Sequence, residues 1–514
     1  MPRQGVDDGN RRPQYDEVRG HPELICAVAE DVGVAITPSG ASSTRGADVA
    51  GLNELAAAPD IVLKPLFDAD LARLRRQAQQ TPQAGEFADQ VEENLGKMAR
   101  FYQVDAPEER LEEIAERLRE LDVIEAAYVK PAAELARART EARPRIRPLS
   151  RGESRGEERK ETPINDMAPI GPDAPSMTPD YTVRQIYLDP GPAGIDARHA
   201  WKQPGGTGDG VRVIDCEWGW RFGHEDLLQN QGGVIAGISS TDTDHGTAVL
   251  GEISGDVNGF GVTGIAPDAM ISASSFSLPT ATAIRAAADR LGPRDLLLLE
   301  IHRPGPRATG IGQQGFIAVE WWPDDFLAIR YATDRGVVVV EAAGNGAENL
   351  DDPVYDRSPG FPLWWTNPFR RSLLDSGAVI VGAGAPPPGT HGADWGPDRS
   401  RLGFSNFGSC VDAQGWGREV TTTGYGDLQA GGNPDFWYTD RFSGTSSASP
   451  IVVGAVACVQ GVLKASDRSP LDGWQVRDLL RHTGWPQQDA PGRPATQRIG
   501  NRPDLSQLIP AALA

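Results

Sequence analysis

Cysteine is scarce in this chain. Cys26, Cys216, Cys410 and Cys458 are the four in 514 residues, too few for the disulfide scaffold of a small secreted domain. The spacing leaves a Cys410–Cys458 bridge open. Positive charge is also in deficit: 50 Lys and Arg against 71 Asp and Glu give a net charge of −21. That balance excludes the basic surface needed to hold phosphates, and with it nucleic acid as a partner. Long apolar runs are missing too. The longest, Ile451 to Leu463, is interrupted by Gln460 and is too short to cross a bilayer, so no membrane partner is expected. Met1 to Gly20 is polar and charged, without the apolar centre of a secretory leader. The expected location is cytoplasmic, or exported without a cleaved signal peptide.

What is present is a long chain with 39% hydrophobic residues, 59 Gly and 41 Pro. This is enough to bury a large core, more than one domain's worth, in a loop-rich globular protein. Residues 1–55, rich in Gly, Ser, Asp and Ala, read as a poorly ordered N-terminal segment. Residues 56–135 read as a small α+β domain. In it Ile61 to Lys64 is strand-like and Asp68 to Gln80 is charged and helical. Phe101 to Val104 forms a strand, followed by the helix-start signals Asp105, Pro107 and Glu108. Leu111, Ile114, Leu118 and Leu121 then share one helical face, and Ile124 to Val129 returns as a strand. Residues 136–180 form a linker whose core, Arg143 to Thr178, is dominated by Arg, Glu, Pro, Ser and Gly.

Residues 181–514 carry the short apolar runs Val211–Ile214, Leu296–Leu299, Val337–Val340 and Val379–Val381. Such runs suit strands covered on both faces. Helical patterns at Thr247 to Ile253, Thr280 to Leu291 and Phe326 to Asp334 alternate with them, which predicts an α/β fold with a doubly wound, mostly parallel sheet.

Candidate chemistry gathers where such strands end. Asp215 follows one strand directly. His245 opens a helical segment in Asp242-Thr243-Asp244-His245-Gly246-Thr247-Ala248, and Asn345 lies just past another strand in Gly344-Asn345-Gly346. Ser446, in Ser443-Gly444-Thr445-Ser446-Ser447-Ala448-Ser449-Pro450, opens the buried apolar helix, whose free N–H groups favour negative charge. A serine hydroxyl needs a base to become a nucleophile. His245 supplies it, Asp215 would hold the imidazole, and Asn345 with the Ser446 N–H would stabilise an oxyanion. Asp242 and Asp244 lack a preceding strand and read as loop positions. His224, His302, His391 and His482 read as structural.

The order Asp215, His245, Asn345, Ser446, with the segments around them, resembles the subtilisin-like serine proteases, the subtilases. The resemblance runs from about Arg184 to Leu508 and includes Gly261-Val262-Thr263-Gly264-Ile265-Ala266-Pro267 and Phe404-Ser405-Asn406-Phe407-Gly408. It implies a serine endopeptidase acting on protein or peptide substrates through an acyl-enzyme. The unit at 101–129 resembles the family's propeptide. That implies a self-processed precursor, cut within residues 143–180, whose N-terminal domain binds the catalytic cleft. No cofactor is required, and no metal is assigned. Calcium sites occur in many subtilases, and Asp351-Asp352 or Asp435 are candidates, none singled out.

The sedolisins also share a Gly-Thr-Ser segment but use Glu and Asp where this chain has His245 and Asn345, so they fit less well. A silent, scaffold use of the fold is opposed by the complete set of four groups. The chain departs from the family in Leu299-Glu300-Ile301-His302-Arg303-Pro304-Gly305, where a small Ser/Gly segment is usual. It departs again in Trp321-Trp322 and Trp364-Trp365, taken as insertions near the cleft, and in Cys216 beside Asp215, a candidate for thiol-reagent sensitivity.

Overall fold

The computed structural model describes residues 20–37, 40–67, 88–138, 178–356 and 360–514. The expected helix over Asp68 to Gln80, and the linker core apart from Thr178, lie outside them.

The N-terminal unit is built on β1 (Glu23–Val28), with a hairpin of β2 (Val34–Thr37) and β3 (Gly40–Ser43) and the helix α1 (Ala50–Ala56) after it. Next come β4 (Val62–Pro65), α2 (Ala88–Met98), β5 (Phe101–Asp105), α3 (Leu111–Arg119) and β6 (Ile124–Lys130). The four-stranded sheet has the order β4-β5-β1-β6, all antiparallel. This corrects, for the described residues from 20 onward, the reading of residues 1–55 as poorly ordered. Glu23–Val28 is an inner strand, and all six of its residues are buried. Alternation of side chains explains why it belongs there. Leu24, Cys26 and Val28 face the unit's own core with Val104, Ile114 and Leu118, while Ile25 and Ala27 join Phe101, Ala126 and Tyr128 in the core shared with the larger domain.

The junction is also held by charge. Lys130 Nζ, fully buried, lies 2.5 Å from Asp324, 2.9 Å from Asp325 and 3.1 Å from Glu23. Arg303 pairs with Glu23, and the Tyr128 hydroxyl donates to Asp324 at 2.9 Å. Trp322 stacks on Tyr128 with ring centroids 6.3 Å apart, and Phe361 meets the same ring at 4.8 Å. Trp321 and Trp365 pack behind them. The tryptophan segments therefore form the seat of the N-terminal sheet.

After β7 (Glu134–Leu135) the larger domain begins its sheet with β8 (Arg212–Glu217) and β9 (Gln231–Ala236). It continues through α4 (Asp244–Ser254), β10 (Met270–Ser275), α5 (Thr280–Ala288), β11 (Leu296–Leu299), β12 (Ile301–Pro304), β13 (Phe316–Ala318), α6 (Pro323–Asp334) and β14 (Val338–Ala342). It goes on with β15 (Val379–Gly384), β16 (Val411–Trp416), β17 (Val420–Thr423), β18 (Tyr438–Phe442) and α7 (Thr445–Ala465), and ends with helices at Gly473–His482 and Leu505–Leu513. Seven strands form one parallel sheet in the order β16-β15-β14-β11-β8-β10-β9. The expected α/β architecture with a small N-terminal α+β unit is observed. Leu296–Leu299 and Val338–Val340 are wholly buried, as strands covered on both faces must be. Helix α7 is long and apolar enough to cross a membrane by length and composition, yet it is entirely enclosed by protein and packs along β14, β15 and β16. The four cysteines are free and buried, with Cys410 and Cys458 in different core clusters.

Candidate active site

Ser446 is the second residue of α7 and has no solvent exposure. The residue before the helix, Gly444, has φ 115° and ψ −175°, a backbone state open in practice to glycine alone. His245 is the second residue of α4 and is 3% exposed. Its Nδ1 lies 2.9 Å and 3.1 Å from the two carboxylate oxygens of Glu217, the last residue of β8. With Nδ1–H donating there, the lone pair falls on Nε2. Nε2 and the Ser446 hydroxyl are both buried and make no hydrogen bond among the described residues. The ring is braced edge-on by Phe442, with centroids 5.3 Å apart.

Asp215 was expected in the orienting role, and here the structure corrects the sequence. Asp215 accepts from Trp220 Nε1 at 2.6 Å, while Glu217 takes the imidazole. Two residues apart on one strand, the carboxyls share a face, and Glu217 is both nearer the strand's end and longer by one methylene. The two are close enough that they cannot both ionise freely. Burial, then the Glu217 charge, push Asp215 well above the usual carboxylate range. Burial raises Glu217 as well above the usual carboxylate range, with the contact to Asp215 opposing it and the Asp242 charge adding to it. His245 is pushed down to about 3, first by burial and then by the Arg137 charge, so its imidazole stands neutral and able to accept a proton.

Asn345 lies where expected. Its Oδ1 accepts from the N–H and hydroxyl of Thr445, both at 3.0 Å, which turns Nδ2 away from α7; Nδ2 donates to Gln313 at 3.1 Å. Its backbone N–H donates to His302 Nδ1 at 3.1 Å, so His302 positions this loop. Glu300, between β11 and β12, is fully buried. It is raised by burial and by the Asp215 and Glu217 charges, and the nearby Ser446 hydroxyl acts in the opposite sense. Neither Glu300 nor Gln313 was legible as a site residue. The former stands in an apolar run, the latter in a glycine-rich loop without periodicity. Cys216, in the same strand, is buried and its thiol is pushed well up by burial, which makes it a poor thiolate.

Chain from the N-terminal unit runs through these groups. β7 pairs antiparallel with β12, matching Leu135 to Ile301 and Glu134 to His302. Gln313 Nε2 donates to the Leu135 carbonyl at 2.8 Å, and the Ala136 N–H donates to the Glu300 carbonyl at 3.4 Å. The Ala136 carbonyl accepts from the Ser446 N–H at 3.3 Å. Arg137 bridges to Gly444, and the Ala138 N–H donates to the Ser443 carbonyl at 3.4 Å. A Cβ on Gly444 would sit 2.1 Å from the Ala136 oxygen, so glycine is required for this approach as well as for its backbone angles.

The loop carboxylates considered for calcium have protein partners. Asp351 accepts from the Ser409 N–H and hydroxyl, Asp352 pairs with Arg307 at 2.7 Å, and Asp435 pairs with Arg221 at 3.2 Å.

The parallel sheet presents at its strand ends a helix-borne serine, a histidine held by a carboxylate and an amide, the kinds of group a serine peptidase uses. Residues 302–503 match the family described as "Subtilase family", a span containing Asn345 and Ser446 but not Glu217 or His245. The chain is 27% identical over 309 residues to thermitase from Thermoactinomyces vulgaris, covering 56% of this chain and 88% of that one. It is 27% identical over 287 residues to subtilisin Savinase from Lederbergia lenta, covering 54% and 84%. Among solved structures, fervidolysin from Fervidobacterium pennivorans aligns with TM-score 0.49 and 18% identity, over 97% of this chain and 62% of that one. Over residues 302–503 the chain is similar to the subtilase family, and its relatives by sequence are subtilisin-like serine endopeptidases.

Proposed function

We propose that Ser446 is the nucleophile, His245 the general base and acid, and Glu217 the carboxylate that orients the imidazole. Asp215 stands behind Glu217. Asn345 Nδ2 and the Ser446 N–H receive the oxyanion once substrate displaces Asn345 from Gln313. The N-terminal unit serves as the precursor's inhibitor, filling the cleft until the chain cuts itself. The observation that carries this reading is the Ala136 carbonyl on the Ser446 N–H, beside a histidine whose other face is held by Glu217. A fluorophosphonate probe should label the wild-type protein at Ser446 once the cleft is vacated. It should not label Ser446→Ala, and absence of label from an active wild type would reject the assignment.

A further inference from the structure

We infer that the bond this chain cuts in itself is Ala136–Arg137, and that Tyr425 forms a site selecting arginine on the leaving side of the cut bond. The inference rests on the peptidase reading above and names its bond and its substrate class: polypeptides with a small residue before the cut and arginine after it.

The register is set by five contacts at and on both sides of one peptide bond. Upstream, Leu135 is pinned through its carbonyl to Gln313 and Ala136 through its N–H to Glu300. At the bond itself, the Ala136 carbonyl oxygen points at the helix N–H of Ser446. Downstream, Ala138 is tied to Ser443 by its N–H and accepts from the Ser443 hydroxyl at 3.3 Å. Ala136 itself is fully buried, so the space around its side chain is closed about a methyl group.

Arg137 leaves the strand on the other side. Its guanidinium lies over the Tyr425 ring, 5.6 Å from the centroid, within cation–π range. Tyr425 is an unusual wall. It stands between Gly424 and Gly426 with φ 59°, a left-handed state that strains a bulky residue. Its ring packs on Phe442 at 6.0 Å, and Phe442 in turn braces His245. A strained aromatic residue that touches the base's support and meets the arginine suits a recognition role.

The reaction balances with one water. The Ser446 oxygen bonds to the Ala136 carbonyl carbon as its proton passes to His245 Nε2. The Ala136–Arg137 C–N bond then breaks, and that proton goes to the Arg137 nitrogen. Water next bonds to the acyl carbon, giving its proton to His245. The Ser446 ester bond breaks, its oxygen takes the proton back, and Ala136 leaves as a carboxylic acid that gives its remaining proton to the freed Arg137 amine.

Intact-mass analysis of the purified full chain should show a cut after Ala136, with Ser446→Ala uncut. Peptides carrying Leu135-Ala136-Arg137-Ala138, or the same sequence with Arg137→Ala or Arg137→Glu, give the second readout. Arginine should raise kcat/KM over glutamate by about tenfold or more. In Tyr425→Ala that ratio should fall toward one, and Tyr425→Phe, which keeps the ring, should retain most of it. A Ser446-dependent cut at another bond, or equal rates for arginine and glutamate, would overturn this inference and leave the peptidase reading standing. No cut, no turnover of any peptide and no labelling of Ser446 would overturn both.

Discussion

The Trp220 indole donates to Asp215 at 2.6 Å, and this one bond leaves Glu217 to face His245. The two carboxyls are therefore separable by mutation. Glu217→Gln should lower kcat by roughly 10⁴-fold, because an amide favours the wrong imidazole tautomer. Asp215→Asn keeps a neutral group against Trp220 and should cost far less, about tenfold. Steady-state turnover of a peptide substrate by both variants decides between them, and the opposite ranking would return the orienting role to Asp215.

Asn345 and Gln313 bond to each other but should fail in different ways. Loss of an oxyanion donor acts on the transition state, so Asn345→Ala should lower kcat by roughly 10²–10³-fold with little change in KM. Gln313 holds the carbonyl of the residue before Ala136, a contact present in the ground state. Gln313→Ala should raise KM about tenfold and leave kcat nearly unchanged. Saturation curves separate the two.

Lys130 sits among Asp324, Asp325 and Glu23 with no exposure. Lys130→Met leaves Asp324 without its ion-pair partner and Asp325 with Arg303 alone, at 3.7 Å, and removing one partner of a buried cluster costs about 3–5 kcal/mol. The expected result is a lower thermal midpoint together with faster hydrogen exchange in β6 and the start of α6. Unchanged exchange in those segments would contradict a charge-held junction.

Glu252, in α4, is fully buried, and neither carboxylate oxygen has a hydrogen-bond partner among the described residues. Burial alone raises it well above its ordinary value of 4.5. Between 4.5 and that raised value the folded protein holds a proton the unfolded chain has lost, so this group's contribution to stability declines as pH rises. Glu252→Gln should melt close to wild type near pH 4 and higher than wild type near pH 8. Thermal melts across that range test the sign.

Much of this was written in local patterns. Ser446 and His245 open helices, and Asn345 follows a strand, so short motifs located all three. The β8, β11, β14 and β15 strands were visible as apolar runs because both faces are covered. Glu217 was missed because periodicity identifies a face and not a register along it, and Asp215 lies on the same face two residues earlier. β1 was missed because Leu24 to Val28, though apolar, stands in a window whose overall composition is that of loose chain. β7 is two residues long and carries no pattern. It becomes a strand only because β12 offers it an edge.

The helix that bears Ser446 is surrounded on every side by the rest of the molecule. A hydroxyl mounted on such a post cannot be switched by shifting the post without disrupting the centre of the domain. Control over this chemistry must therefore reside in admission: in which polypeptide lies along β12, and in how soon it departs.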